Sequence, residues 1–164
     1  MQIRLFGLVD ESIVDGPGFR LAVFTQGCPH HCEGCHNPES HAFDGGKLRD
    51  VQEVIAVMDD SPLLDGVTLT GGDPFMQPEP CTVIAKAAHE RGLNVWCYTG
   101  FTYEQLLKRP DAAQLLENVD VLVDGRFVLA ERSLELKFRG SRNQRLIDMK
   151  RTRDTGSVVL WEES

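Results

Sequence analysis

The sequence lacks the features that would place the protein in a membrane or outside the cell. No apolar run approaches the roughly 20 residues that a membrane-spanning helix requires. The first residues lack the long apolar core and the small-residue cleavage site of a signal peptide. The 5 cysteines are an odd number, whereas a secreted disulfide framework normally pairs an even number. These absences predict a cytoplasmic protein without a membrane segment.

An excess of positive charge is also missing. The 164 residues include 17 Lys or Arg and 25 Asp or Glu, which gives a formal net charge of -8. A surface with this balance repels phosphate backbones, so we expect no nucleic-acid binding. No low-complexity segment, long linker or break in composition divides the chain, and its length suits one domain. We therefore expect a single domain over residues 1–164.

The sequence does contain a coarse alternation of strand and helix patterns. Apolar runs begin at residues 67, 93 and 119, a constant spacing of 26 residues, and each ends in a turn with glycine. Residues 78–91 have apolar side chains at helical spacing, and residues 102–105 have the form of a capping box. This order is typical of βα units in a parallel sheet. A strand pattern at residues 19–25 comes earlier, and an amphipathic helix is marked by Leu48, Val51, Val54, Ile55 and Met58.

The chain is too short for a complete eight-unit barrel, which takes about 250 residues. We therefore predict an α/β fold, a partial, open (β/α) TIM-like barrel with a mostly parallel sheet. Parallel sheets bind their ligands at the carboxyl ends of the strands. The turns that follow the four predicted strands should then meet at one mouth, namely Gly27-Cys28, Thr70-Gly71, Thr99-Gly100 and Asp124-Gly125.

Three cysteines at the start of this mouth form a C-x3-C-x2-C motif, Cys28, Cys32 and Cys35. Soft thiolates favour iron–sulfur clusters, zinc or copper(I) over hard cations. A [4Fe–4S] electron carrier normally has four cysteines. Cys81 and Cys97 lie in a predicted helix and strand, where we expect buried, unreactive side chains. One iron would therefore keep an open position for a substrate or cofactor.

The spacing alone leaves a structural zinc site open, with Cys28, Cys32, Cys35 and His36 as a Cys3His set. His30 and His31 lie within the same motif, between Cys28 and Cys32, and exposed loop histidines without a function are the simpler interpretation of them. Two interpretations of function follow from these ligand sets: an enzyme that uses an open iron, or a binding module without chemistry of its own.

Three motifs in this order resemble the radical S-adenosylmethionine superfamily. The cysteine motif is followed by a strand and by Gly-Gly-Asp-Pro at residues 71–74. Residues 15–20 before the cysteines, Asp-Gly-Pro-Gly-Phe-Arg, resemble the signature of the glycyl-radical-enzyme activases. The later segments 96–101, 121–127 and 138–145 resemble the activases of anaerobic ribonucleotide reductase.

The resemblance implies two cofactors, a [4Fe–4S] cluster held by Cys28, Cys32 and Cys35, and S-adenosylmethionine. The cofactor-binding residues it implies are Gly34, Cys35, His36, Gly71, Gly72 and Asp73. Residues 71–73 would receive the methionine ammonium through backbone oxygens, with the Asp73 carboxylate as a further candidate. No general acid or base is implied, so no catalytic residue is named beyond the cluster ligands.

The resemblance also implies a reaction and two protein partners. A donor such as flavodoxin would reduce the cluster, and S-adenosylmethionine would be cleaved to methionine and a 5′-deoxyadenosyl radical. That radical would remove a hydrogen atom from a glycine Cα in the C-terminal loop of the anaerobic reductase. Two alternatives stay open, a radical enzyme acting on a small molecule, such as the deazaguanine-forming synthases, and a non-catalytic zinc or iron–sulfur module.

The sequence departs from the family pattern at two positions. Asp73 stands where other members often have Glu, and larger activases carry an acidic residue of a cation site near the position of Tyr98, which cannot supply a carboxylate. The cation site is therefore not transferred to this chain, and Asp15 and Asp124 are left as candidates for such a site.

Overall fold

The computed structural model describes residues 1–35 and 38–162. Within them the strands and α-helices are, in chain order, β1 (Gln2–Ser12), β2 (Arg20–Thr25), β3 (Lys47–Asp50), α1 (Val51–Asp59), β4 (Gly66–Gly71), α2 (Pro78–Glu90), β5 (Asn94–Tyr98), α3 (Tyr103–Leu107), α4 (Ala113–Glu117), β6 (Val121–Asp124), β7 (Arg145–Asp148) and α5 (Met149–Thr155). Short 3-10 turns lie at Pro38–Ser40, Pro74–Met76, Pro110–Ala112 and Leu129–Glu131. In the described part of the chain, no helix has the length and apolar character needed to cross a membrane.

The central elements lie where the sequence patterns predict them. Strands β2, β4, β5 and β6 coincide with the four apolar runs, and α2 occupies almost the whole predicted helix. The capping box at α3 is confirmed, because the side chains of Thr102 and Gln105 each accept a hydrogen bond from the backbone of the other. The helix predicted around Leu48 begins later, at Val51, because the Asp50 side chain caps its first turn through the amide of Gln52. Leu48 itself lies in β3 and is exposed.

The sheet has the strand order β3-β1-β2-β4-β5-β6-β7. The pairs β2–β4, β4–β5 and β5–β6 are parallel, whereas β1–β2, β1–β3 and β6–β7 are antiparallel. The prediction of a mostly parallel sheet is therefore wrong. The sheet is mixed and open, and a TIM-like barrel is not confirmed. The reason lies partly in residues 13–19, which are too few for the crossover of a dozen or more residues that a parallel β1–β2 pair requires.

Helices cover one face of this sheet. Alternate residues of the strands, such as Val67, Leu69 and Val95, point into a core that they share with α1, α2 and α4. The other face carries a smaller aromatic cluster in which Trp96 packs between Phe138 and Trp161. The carboxyl ends of the parallel strands thus lie between the helical core on one face of the sheet and the aromatic cluster on the other.

Arg20 is fully buried on the face opposite the helices, at the start of β2. Its guanidinium donates hydrogen bonds to the hydroxyl of Thr68 at 2.7 Å and to the carbonyls of Pro17 and Val67 at 3.0 and 3.1 Å. The guanidinium carbon lies 5.6 Å from the centre of the Trp96 ring. Burial lowers the pKa of Arg20 to about 10. This side chain therefore fixes the segment between β1 and β2 against the sheet.

Candidate active site

A pocket opens at the carboxyl ends of the parallel strands. It is lined by Cys28 after β2, by residues 70–72 at the end of β4, by residues 98–100 at the end of β5 and by Gly125 after β6. The prediction that the four turns share one mouth is confirmed. Cys32, Cys35, His30 and His41 line the same pocket. The three cysteines of the motif therefore face the ends of β4 and β5 across one cavity.

Backbone hydrogen bonds hold in place the cysteine loop, which comprises residues 27–35. The amide of Gly27 donates to the carbonyl of Ser40 at 2.7 Å, and the amide of Cys28 donates to that of His41 at 3.1 Å. Within the loop, the amide of Cys35 donates to the carbonyl of Cys32 at 3.1 Å. The 3-10 turn at Pro38–Ser40 thus supports the first cysteine, although it follows the third one in the chain.

The electrostatic surroundings of two thiols differ from those of an exposed cysteine. Burial raises the pKa of Cys28, and the backbone amides of His30 and His31, which donate to its sulfur, oppose this rise. Burial also raises the pKa of Cys32, against the effect of the Phe127 backbone and the nearby Arg126 charge. Amides aimed at sulfur stabilise a thiolate. Burial is nevertheless the larger effect, and it favours the protonated thiol at Cys28 and at Cys32.

Backbone packing requires the two glycines at the end of β4, Gly71 and Gly72. The amide of Gly72 donates to the carbonyl of Thr25 at 2.7 Å, and the amide of Asp73 donates to that of Gly27 at 2.8 Å. A Cβ on Gly72 would lie only 2.4 Å from the oxygen of Gly27. Gly71 has φ of +99°, a conformation that side chains disfavour. The β4 loop, which begins at Gly72 directly after β4, therefore packs its main chain against the main chain of the cysteine loop.

Asp73, the acidic residue of the same motif, is fully buried. Its side chain caps the 3-10 turn at Pro74–Met76 through the amide of Phe75. It also accepts hydrogen bonds from the hydroxyl of Thr99 and the amide of Gly100 at the end of β5. Unlike Gly71 and Gly72, it does not line the pocket formed by the described residues.

Comparison with known proteins shows which proteins this chain is similar to. A family model described as "4Fe-4S single cluster domain" matches residues 14–147. The anaerobic ribonucleoside-triphosphate reductase-activating protein of Haemophilus influenzae is 33% identical over 140 residues, which cover 80% of this chain and 89% of that protein. The proteins of the same name from Escherichia coli K12 and from phage T4 are 34% and 35% identical over 143 residues, which cover 80% and 81% of this chain and 90% and 86% of theirs. The chain belongs to the family of anaerobic ribonucleoside-triphosphate reductase-activating proteins.

The cysteine pocket of this family member fits a [4Fe–4S] cluster. Three thiols on one loop supply soft ligands, and the matched family carries a cluster of this type. The zinc alternative needs His36, which lies outside the described residues. Cys81 and Cys97 are fully buried in α2 and β5, as expected.

The other predicted cofactor residues of this chain have different surroundings. Gly34 has φ of +76°, and a Cβ there would lie 2.9 Å from Leu129 and 3.3 Å from Phe127. It therefore packs against the segment after β6, whereas Cys35 lines the pocket directly. The prediction for His36 concerns a residue outside the described part of the chain.

His41 is a residue of this pocket that sequence reasoning missed. Its Nε2 lies 3.4 Å from the sulfur of Cys35, and its ring packs edge-on against His31 at 5.1 Å between centroids. Burial lowers the pKa of His41. No spacing rule marks a histidine six residues after the last cysteine, so its role depends on the fold of the 3-10 turn before it.

The two candidates for a cation site have protein partners. The buried carboxylate of Asp124 accepts hydrogen bonds from the guanidinium of Arg145 and from the amide of Tyr103. Arg145 also pairs with Glu104, which lowers the pKa of that carboxyl. The carboxylate of Asp15 accepts a hydrogen bond from the hydroxyl of Ser12. At Asp124, a guanidinium already supplies the positive charge that a metal cation would bring.

Proposed function

We propose that this protein is a radical S-adenosylmethionine activase that generates a glycyl radical on an anaerobic ribonucleoside-triphosphate reductase. The observation that carries the proposal is that Cys28, Cys32 and Cys35 share one pocket with the glycine-rich ends of β4 and β5. When bound, a reduced [4Fe–4S] cluster supplies the electron for reductive cleavage of S-adenosylmethionine, from which the glycyl radical follows. The chain itself binds and orients these groups and keeps side reactions away.

The residues of the pocket have distinct tasks in this proposal. Cys28, Cys32 and Cys35 would hold the cluster as thiolates. Gly71 and Gly72 bring main chain to the wall of the pocket without a side chain in between, so their backbone oxygens are the proposed acceptors for the methionine ammonium. Gly34 on the cysteine loop and His36 directly after it in the sequence remain proposed cofactor contacts.

The proposed partners follow from the family. The relatives are named as reductase-activating proteins, which supports an anaerobic reductase as the substrate protein. We propose that its glycine-bearing C-terminal loop enters the pocket and that flavodoxin donates the electron. None of the five cysteines forms a disulfide in the part of the chain that the structure describes, which supports our proposal of the reducing cytoplasm as the location. The net charge of -8 supports a protein partner over a nucleic acid.

Electron paramagnetic resonance of the anaerobically reconstituted protein tests this function. We expect a reduced [4Fe–4S] signal that changes when S-adenosylmethionine is added, and a glycyl-radical signal only when the reductase is also present. Cys28→Ala should abolish both signals. Cys81→Ala removes a buried thiol that does not line the pocket, so it should keep them.

Three other outcomes would contradict the proposal. A cluster signal that does not respond to S-adenosylmethionine would indicate an electron carrier. Stoichiometric zinc without a cluster signal would indicate a structural module. Cleavage of S-adenosylmethionine without a radical on the reductase would indicate a small-molecule substrate.

A further inference from the structure

The ring of His30 connects the cysteine loop to two other loops of the pocket. Its Nε2 lies 2.7 Å from Oδ2 of Asp73, and the two side chains are only 4% and 0% exposed. The ring also packs edge-on against Phe101, with 4.5 Å between the centroids. These three residues follow β2, β4 and β5 respectively. One imidazole therefore joins the ends of three neighbouring parallel strands.

The carboxylate of Asp73 is saturated by partners from the protein. Oδ1 accepts from the amide of Phe75 and the hydroxyl of Thr99, both at 3.0 Å. Oδ2 accepts from the same hydroxyl and from the amide of Gly100, both at 2.9 Å, in addition to His30. An ionised carboxylate offers about four lone-pair positions, and these contacts occupy them. A ligand that bound this carboxylate would have to displace a buried hydrogen bond.

The local geometry accommodates the ring of His30 closely. A Cβ on Gly100 would lie 2.3 Å from Cδ2 of His30, so only glycine leaves room for the imidazole. Because a carboxylate can only accept, Nε2 of His30 carries the proton that it donates to Asp73. Nδ1 is buried and has no hydrogen-bond partner in the described part of the chain. The bond through Nε2 is therefore the polar contact that fixes the ring.

We propose that His30 is a positioning residue of this active site and that Asp73 acts through it. The inference rests on the proposed function. The Asp73 carboxylate holds His30, and His30 holds the loop that carries Cys28 and Cys32 against the ends of β4 and β5. The cofactor ammonium then meets main-chain oxygens of the β4 loop, and the Asp73 carboxylate stays within the protein.

A pair of substitutions at His30 tests the proposal. The amide nitrogen of Gln reaches the position of Nε2 and can donate to Asp73, whereas the shorter Asn reaches only the level of Nδ1. We expect His30→Gln to keep the S-adenosylmethionine dissociation constant within a few-fold of the parent. His30→Asn should weaken binding by about tenfold or more, the effect of losing a hydrogen bond to a charged group. Binding is read from the change in the spectrum of the reduced cluster, and cluster iron is measured in each variant.

A matched control uses another histidine–aspartate pair, His89 and Asp120. Nε2 of His89 lies 2.8 Å from Oδ2 of Asp120, and both side chains are more than one-third exposed, at 36% and 40%. This pair does not line the pocket. His89→Asn should leave both the cluster spectrum and the dissociation constant unchanged, although it breaks the same kind of pair.

A double variant separates positioning from direct contact. If Asp73 acts through His30, then adding Asp73→Asn to His30→Asn should weaken binding by no more than about twofold further. Independent, multiplicative losses would overturn the proposal, because Asp73 would then affect cofactor binding by a route other than His30. Loss in His30→Gln with retention in His30→Asn would also overturn it, because Nδ1 would then be the functional atom.

The parent protein distinguishes this inference from the proposed function. If the parent cluster does not respond to S-adenosylmethionine, the proposed function fails. If the parent responds and the glutamine and asparagine variants behave alike, only the role of His30 fails.

Discussion

The hydroxyl of Tyr98 donates a hydrogen bond of 2.6 Å to the main-chain carbonyl of Phe138, 40 residues further along the chain. Phe138 has φ of +64°, in the left-handed region that is costly for a residue with a side chain. Its ring packs against Trp96 at 5.3 Å between centroids. Because Tyr98 also lines the pocket, this bond ties the segment around Phe138 to the wall of the site.

Tyr98→Phe should loosen that segment. The change removes the only side-chain donor to the Phe138 carbonyl among the described contacts, so we expect the free energy of unfolding to fall by about 1 kcal/mol. Amide hydrogen exchange around residue 138 should become faster. Tyr103→Phe removes the hydroxyl of the other tyrosine and serves as the control. Equal exchange rates in the parent and Tyr98→Phe would contradict the prediction.

Gly72→Ala should damage the contact between the cysteine loop and the β4 loop. A Cβ there would approach the Gly27 oxygen to 2.4 Å, and a backbone atom cannot move aside as a flexible side chain can. We expect a loss of about 1–3 kcal/mol in the free energy of unfolding and a lower cluster content after reconstitution. Gly7→Ala is the matched control, because nothing lies within 4 Å of a Cβ at that position. Denaturant unfolding and iron analysis measure both effects, and normal iron content in Gly72→Ala would sink the prediction.

His41→Phe should lower the reduction potential of the bound cluster. Nε2 of His41 lies 3.4 Å from the sulfur of Cys35, and a hydrogen bond to a ligand sulfur favours the more negative, reduced state. The aromatic ring keeps the packing against His31 while the donor is lost. A spectroscopic redox titration gives the midpoint potential, with His89→Phe as the control. An unchanged potential would mean that this hydrogen bond has no influence on the cluster.

Stability should fall at alkaline pH because of two buried thiols. Burial raises the pKa of Cys81 and Cys97 above the ordinary thiol value, and both side chains are fully buried. The folded state therefore keeps protons that the unfolded chain releases above about pH 8.5. The stabilisation is fully present below that pH and is lost as the pH rises, by about 1.4 kcal/mol per pH unit for each thiol.

Cys97→Ala isolates one of these thiols. The slope of the free energy of unfolding against pH, measured by denaturant titration between pH 8 and 10 with a reductant present, should become shallower. Equal slopes in the parent and the variant would show that the thiol ionises in the folded state. The comparison of slopes is independent of any constant loss caused by the smaller side chain.

Local sequence patterns predict the centre of the sheet but not its edges. Strands β4 and β5 are apolar runs that end in glycine, so their own residues define them. The edge strands β3 and β7 have four residues each, and polar or charged side chains interrupt them. They are strands because Lys47 pairs with Leu5 and Arg145 pairs with Asp124. Those pairings join distant parts of the chain and leave no periodic signal.

The same distinction applies to the site. The spacing of Cys28, Cys32 and Cys35 predicts a metal loop, because the three ligands lie within eight residues. The contact between His30 and Asp73 spans 43 residues, and only the convergence of β2 and β4 brings the two side chains together. The interpretation of His30 as an exposed loop histidine is wrong, because its side chain is buried against Asp73.

In the described part of the chain, the sheet has two edges, β3 on one side and β7 on the other, so its strands do not close into a ring. The pocket is lined by the ends of a few of the strands and by the loops that follow them. Closing an active site expels water and protects reactive intermediates from side reactions. In the proposed activase, the partner protein would have to cover the mouth and complete the dry chamber. The protection of the radical would then be a property of the complex. Cleavage of S-adenosylmethionine before the partner binds would yield no glycyl radical.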